Sequence, residues 1–121
     1  MVDLNNEMNF LEVVNLCKVL GDLTRFCIVD LLNKRDMYTY EIQQELDIYD
    51  EDVELRTLSR HLRIMEQAGL VHSTTNWTHK KYSLNCDRLK QFMEYFKREI
   101  QVDKGTFAHK IRPSECAEIA V

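Results

Sequence analysis

The chain has 121 residues, 45% of them hydrophobic and 30% charged, with a formal net charge of −4. That is one domain's worth of ordinary soluble composition, and no run approaches the ~18 apolar residues that a membrane span needs. The polar, acidic start, Met1-Val2-Asp3-Leu4-Asn5-Asn6-Glu7, lacks the basic-then-apolar order of a secretory signal and predicts a cytoplasmic protein.

Asn9 to Leu20 reads as a first helix, with Phe10, Val13, Val14, Cys17 and Leu20 on one face. Asp22 or Leu23 opens a second helix, and Asp22 is suited to cap its first turn. This helix runs to about Asn33, with Phe26, Ile28, Val29, Leu31 and Leu32 as core. Thr39 is the expected cap of a third helix, Tyr40 to Leu46. The segment Tyr49 to Glu54 then carries four acids, Asp50, Glu51, Asp52 and Glu54, and its role stays open.

The stretch Leu55–Leu70 presents two faces at helical spacing. Leu55, Leu58, Leu62 and Met65 make an apolar stripe, while Arg56, Thr57, Ser59, Arg60, Arg63 and Gln67 lie away from it. A helix with an apolar back and an Arg/Ser/Thr front suits a DNA major groove. Gly69 supplies its stop. Two β-leaning runs follow, Leu70 to Thr74 and His79 to Leu84, joined by the turn Thr75-Asn76-Trp77-Thr78, which predicts a hairpin. The hairpin tip and return strand carry Asn76, Trp77, His79, Lys80 and Lys81 and no acid. Net charge is an average, and steering depends on where charges lie. Residues 56–81 hold Arg56, Arg60, Arg63, Lys80 and Lys81 against Glu66 alone, the local balance of a groove-binding face.

Asp87 to about Val102 forms the last helix, with Leu89, Phe92, Met93, Phe96 and Ile100 as a wide apolar stripe. The expected fold is mostly α with a small β-hairpin, a winged helix-turn-helix in the order α-α-α-α-β-β-α. Residues 1–104 make one domain with flanking dimerisation helices, and residues 105–121 a polar tail. The first and last helices carry more apolar surface than a small domain covers by itself. Pairing them across a two-fold axis buries both, so a homodimer is expected.

Three stretches resemble the ArsR/SmtB family of winged-helix repressors: VLGDLTRFCIVDLL at 19–32, LSRHLRIMEQAGLV at 58–71 and KYSLN at 81–85. Their order and spacing also fit, and the likeness spans Leu16 to Asn85. It implies a repressor that dimerises through its first and last helices and meets a pseudo-palindromic operator in double-stranded DNA. The family's usual link between its two helix-turn-helix helices is shorter than the one here. Glu54 stands where that family often has a Ser or Thr cap.

The DNA-binding set expected is Arg56, Thr57, Ser59, Arg60, His61, Arg63, Trp77, His79, Lys80 and Lys81. His61 either contacts phosphate or supports its helix, and His72 and His79 lie on the two hairpin arms. Cys17, Cys27, Cys86 and Cys116 are widely spaced, with no CxxC and no close Cys/His cluster, so no metal site and no cofactor is expected. The Cys-x-Cys and Asp/His patterns of the family's metal-sensing members are missing. The four cysteines are candidate sensors of a small thiol-reactive or thiophilic inorganic effector, with Cys17 and Cys27 otherwise read as small core residues. No phosphate loop or nucleophile–base motif points to an enzyme. A winged-helix module that binds protein, or an effector-independent DNA-binding regulator, remains the alternative.

Overall fold

The computed structural model describes residues 7–49 and 52–100. Helix α1 (Phe10–Leu20) begins where Asn9 and Glu12 cap each other: Glu12 N–H donates to Asn9 Oδ1 at 2.9 Å and Asn9 N–H to Glu12 Oε1 at 3.0 Å. The Asn9 amide, helped by Arg88, holds the Glu12 carboxyl below its usual range. Helix α2 (Leu23–Lys34) starts on Asp22, whose carboxylate accepts from Arg25 N–H at 3.1 Å, as expected.

An unexpected strand comes next, β1 (Met37–Tyr38), followed by α3 (Thr39–Leu46). Thr39 is the first helical residue rather than the cap. Tyr38 takes that position, and its N–H donates to Glu41 Oε1 at 2.8 Å. A short 3-10 turn, Asp47–Tyr49, leads towards α4 (Leu55–Gln67). The hairpin is β2 (Val71–Asn76) and β3 (His79–Leu84), and β1 adds to its open edge. The sheet is antiparallel in the order β1-β3-β2, with Met37 opposite Tyr82 and Val71 opposite Leu84. Helix α5 (Cys86–Tyr95) runs into a π-helical turn, Phe96–Ile100. The predicted end at Val102 and the tail 105–121 lie outside the described residues.

The core forms where the helices and the base of the sheet meet. Leu16, Ile28, Ile42, Leu46, Leu58, Leu62, Met65 and Leu70 are fully buried there. Several expected core residues are not. In α2 the buried set is Thr24, Cys27, Ile28, Leu31 and Leu32, a stripe at three- and four-residue steps. Phe26 falls off that stripe and is 57% exposed. In α1 the buried side is Val13, Leu16 and Val19, so Phe10 and Cys17, seven residues apart, share the outer side and are exposed. Leu55, expected in the stripe of α4, is also exposed. In α5 and the π-helical turn after it, Leu89, Phe92, Tyr95 and Phe96 pack half-buried on the core, while Met93 and Ile100 face outwards.

Helix α4 ends on Gly69, at φ 79°, with Leu70 N–H donating to Met65 O at 2.9 Å and Gly69 N–H to Glu66 O at 3.0 Å. This closing turn suits glycine because a Cβ disfavours the left-handed conformation. Asn85 fastens the hairpin to that turn. Its side-chain amide donates to Gly69 O at 2.8 Å, and its Oδ1 accepts from Arg88 N–H at the start of α5. Arg88 in turn reaches Glu12 at 3.1 Å, joining α5 to α1.

Candidate nucleic-acid interface

The front of α4 is exposed over Arg56, Ser59, Arg60 and Arg63, with Thr57 half-buried between front and core. Leu58, Leu62 and Met65 anchor the back of the helix at zero exposure. His61 belongs to that back rather than to the front. It is 8% exposed, and Arg25 on α2 donates from its guanidinium to His61 Nδ1 at 3.1 Å. Arginine has only donors, so this nitrogen must accept, which requires the imidazole to be unprotonated there. Burial pushes the His61 pKa down, and the Arg25 and Arg60 cations add to this against Asp22. Arg25 Nε also donates to Val19 O at 2.7 Å, so one side chain ties α1, α2 and α4 together. The burial and the bond to Arg25 give His61 a place in the packing of α4 on α2.

The hairpin places its cations beside α4. A cleft of about 530 Å³ runs between them, lined by Leu55, Ser59 and Arg63 of α4, Tyr40 of α3, and His79 and Lys80 of β3. Arg56 and Arg60 lie on the neighbouring strip of the helix. Lys81 alternates with Lys80 along β3, and its Nζ lies 5.4 Å from the centre of the Tyr38 ring. The two-residue tip is Trp77-Thr78. Trp77 is 91% exposed and has φ 63°, a conformation that bulky residues rarely adopt. Two-residue hairpin tips require a positive φ at their first position in the II′ form, which is where Trp77 stands.

Tyr38 and Tyr40 were absent from the expected site. Their rings stack at 5.7 Å and 8°, and His79 meets both edge-on at 6.4 and 6.1 Å. Asn76 donates to the Tyr38 hydroxyl at 3.1 Å. This cluster fixes the hairpin against the start of α3. The only sequence signal for it is Tyr-Thr-Tyr at the strand-to-helix junction.

One acid of the cleft, Glu66, has a hydrogen-bond partner: its Oε2 accepts from the Ser73 hydroxyl at 2.7 Å. Tyr49 donates to Asp30 Oδ2 on α2 at 2.5 Å, and that bond pushes the phenol up to about 12. Gln43 Nε2 donates to Val53 O at 3.0 Å. Both described ends of the Tyr49 to Glu54 segment are thus tied back to α2 and α3. Asp50 and Glu51 lie outside the described residues, and Asp52 and Glu54 are exposed.

Residues 23–101, from the start of α2 onwards, match the family model of the ferric uptake regulator family. The chain belongs to that family of winged-helix regulators. The ArsR kinship expected from the motifs of α2, α4 and the hairpin stands beside this, since the two are related winged-helix families. Over 79 residues the regulator is 34% identical to YuzN, an uncharacterized HTH-type transcriptional regulator of Bacillus subtilis (strain 168), covering 64% of this chain and 86% of YuzN. It is 24% identical over 113 residues to the arsenical resistance operon repressor of Staphylococcus xylosus, covering 90% of this chain and all of that repressor. The solved ArsR-like transcriptional regulator from Rhodococcus sp. RHA1 shares its fold at TM-score 0.65 and 18% identity, over 86% of this chain and 96% of that one.

The regulator's described residues include His61, His72 and His79, and Cys17, Cys27 and Cys86. No three His, Cys, Asp or Glu side chains among them gather where one ion could be held. His61 is committed to Arg25. His72 and His79, on the two arms of the hairpin, sit at opposite ends of the ladder: His72 faces Ser83, and His79 faces Asn76. Cys17 and Cys86 are exposed and Cys27 is buried, while Cys116 lies outside the described residues. Among the described residues no helix is long and apolar enough to cross a membrane.

Proposed function

We propose that this regulator is a cytoplasmic repressor that binds a pseudo-palindromic duplex as a homodimer. Helix α4 enters the major groove, and the hairpin lies along the adjacent backbone. The observation that carries the reading is the arrangement around one cleft: Ser59 and Arg63 of α4 face Lys80 and His79 of the hairpin, with Arg56 and Arg60 on the next strip. Arginine and lysine there match phosphates and guanine edges, and phosphate contacts set orientation while base contacts set sequence. Trp77, Lys80 and Lys81 serve the backbone side, Arg56 and Arg60 the base edges, and Thr57, Ser59 and Arg63 the flanks of the groove. The outward apolar residues Phe10 and Leu11 on α1, with Met93 and Ile100 at the far end of the chain's last helix, form the seam for the second copy. Sedimentation of the free protein at micromolar concentration is expected to return a dimer. A monomer would remove that part of the reading.

The experiment for DNA binding is a mobility shift over a salt series, on the wild type and on a variant with Lys80→Ala and Lys81→Ala. Binding is expected to weaken on all duplexes alike in the variant. The slope of log affinity against log salt is expected to fall by about 0.9 for each phosphate that the variant leaves unneutralised. An unchanged slope means that the hairpin does not touch DNA.

Release from DNA is assigned to thiol chemistry. Exposed thiolates bind soft ions such as trivalent arsenic and undergo oxidation or persulfide exchange. Cys17 and Cys86 are exposed on α1 and α5, the elements given to the dimer seam. The relative named for arsenical resistance supports the same effector class. DNA release is to be measured with arsenite, an organic polysulfide and zinc, on the wild type and on a variant with all four cysteines changed to Ser. Arsenite or polysulfide should release the wild type and leave the variant bound. Release by zinc alone that persists in the variant overturns the assignment.

A further inference from the structure

An exposed leucine is ordinary on a protein surface. Leu55 is not placed at random, however. It is the first residue of α4, 54% exposed, and it shares the wall of the hairpin cleft with Ser59 and Arg63. The three stand at four-residue steps, so they form one row along the helix. Recognition helices meet base edges mainly through their N-terminal residues. Leu55 has no donor or acceptor, and the edge it meets is chosen by apolar contact alone. Only one base edge in the major groove offers an apolar group, the C5 methyl of thymine. Arg56, exposed on the next strip, suits guanine acceptors beside it.

We propose that Leu55 reads the 5-methyl group of a thymine in each half-site, next to the base contacted by Arg56. This rests on the DNA-binding reading above and adds a base identity to it. Burying the methyl against Leu55 removes both from water. The gain expected for one such group is about 0.8 kcal/mol, or about fourfold in affinity.

The test starts from a duplex selected out of a random pool by the full-length protein. Each thymine of the selected site is then replaced in turn by deoxyuridine, which removes only the methyl group. Affinities are measured for the wild type and for Leu55→Ala. At one position per half-site, uridine is expected to weaken the wild type about fourfold. On the unmodified site Leu55→Ala should lose a similar factor, and uridine at that position should then cost it nothing more. Uridine penalties at the other positions should persist in the variant. Two results overturn the assignment while leaving DNA binding intact: no thymine methyl matters to the wild type, or one matters equally to Leu55→Ala. The first of these needs no variant at all. Failure to select any site would remove the DNA-binding reading and this assignment with it.

Discussion

Replacing Arg60 with Ala is expected to weaken binding to a selected DNA site by about 1–3 kcal/mol, because a guanidinium paired bidentately with guanine is worth that much. The side chain lies on the exposed front of α4, clear of the buried Leu58, Leu62 and Met65. Its loss should therefore leave the melting temperature and the oligomeric state where they are. Binding to unrelated duplexes should fall less, since phosphate contacts by the hairpin lysines remain. Measured affinities on specific and random DNA separate the two effects. Equal affinity of Arg60→Ala and wild type for the selected site would show that α4 is not the reading helix.

The back of the same helix predicts a loss of another kind. Leu62 has no exposed surface and sits in the core with Leu58 and Met65. Leu62→Ala removes buried methyl groups and leaves a cavity, at a cost of about 2–5 kcal/mol. Domains are typically stable by only about 5–15 kcal/mol, so the change should be plain in thermal unfolding. A drop of roughly 8–20 °C is expected at about 4 °C per kcal/mol. DNA binding should then fail through loss of the folded population, and recover on cooling. A shift below about 2 °C would contradict the burial described for this position. Together the two expected outcomes would divide α4 into a face that recognises and a face that holds.

Most of the architecture was legible because its strongest signals are local. Leu58, Leu62 and Met65 mark the back of α4 by spacing, Gly69 marks its end, and two β-leaning runs mark the hairpin. The edges of each stripe were less legible. Side chains of a helix lean towards its N-terminus, so a leucine in the first turn, such as Leu55, reaches past the domain's edge rather than into it. His61 shows the reverse case. It stands three residues after Leu58 and one before Leu62, on the stripe itself, and its polarity masked that placement. Strand β1 has two residues, too few for any period to register, and it exists because β3 offers an edge. The stacking of Tyr38 and Tyr40 against His79 depends on that pairing and so was hidden with it. The basic front of α4 and the hairpin lysines could be read directly. Their meeting across one cleft could not, since it joins residues that are far apart in the chain.

Trp77 is the chain's single tryptophan, and it stands at the outermost point of the hairpin. The emission of the whole molecule on excitation near the red edge of protein absorbance therefore comes from one ring almost wholly in water. Such a signal carries little information about whether the core is packed. A fluorescence melt would register fraying of the hairpin tip and could miss the collapse of α1 to α5 altogether. The same isolation makes the ring a local reporter, with quenching by a soluble agent and its suppression by DNA reading out contact at the tip and nowhere else.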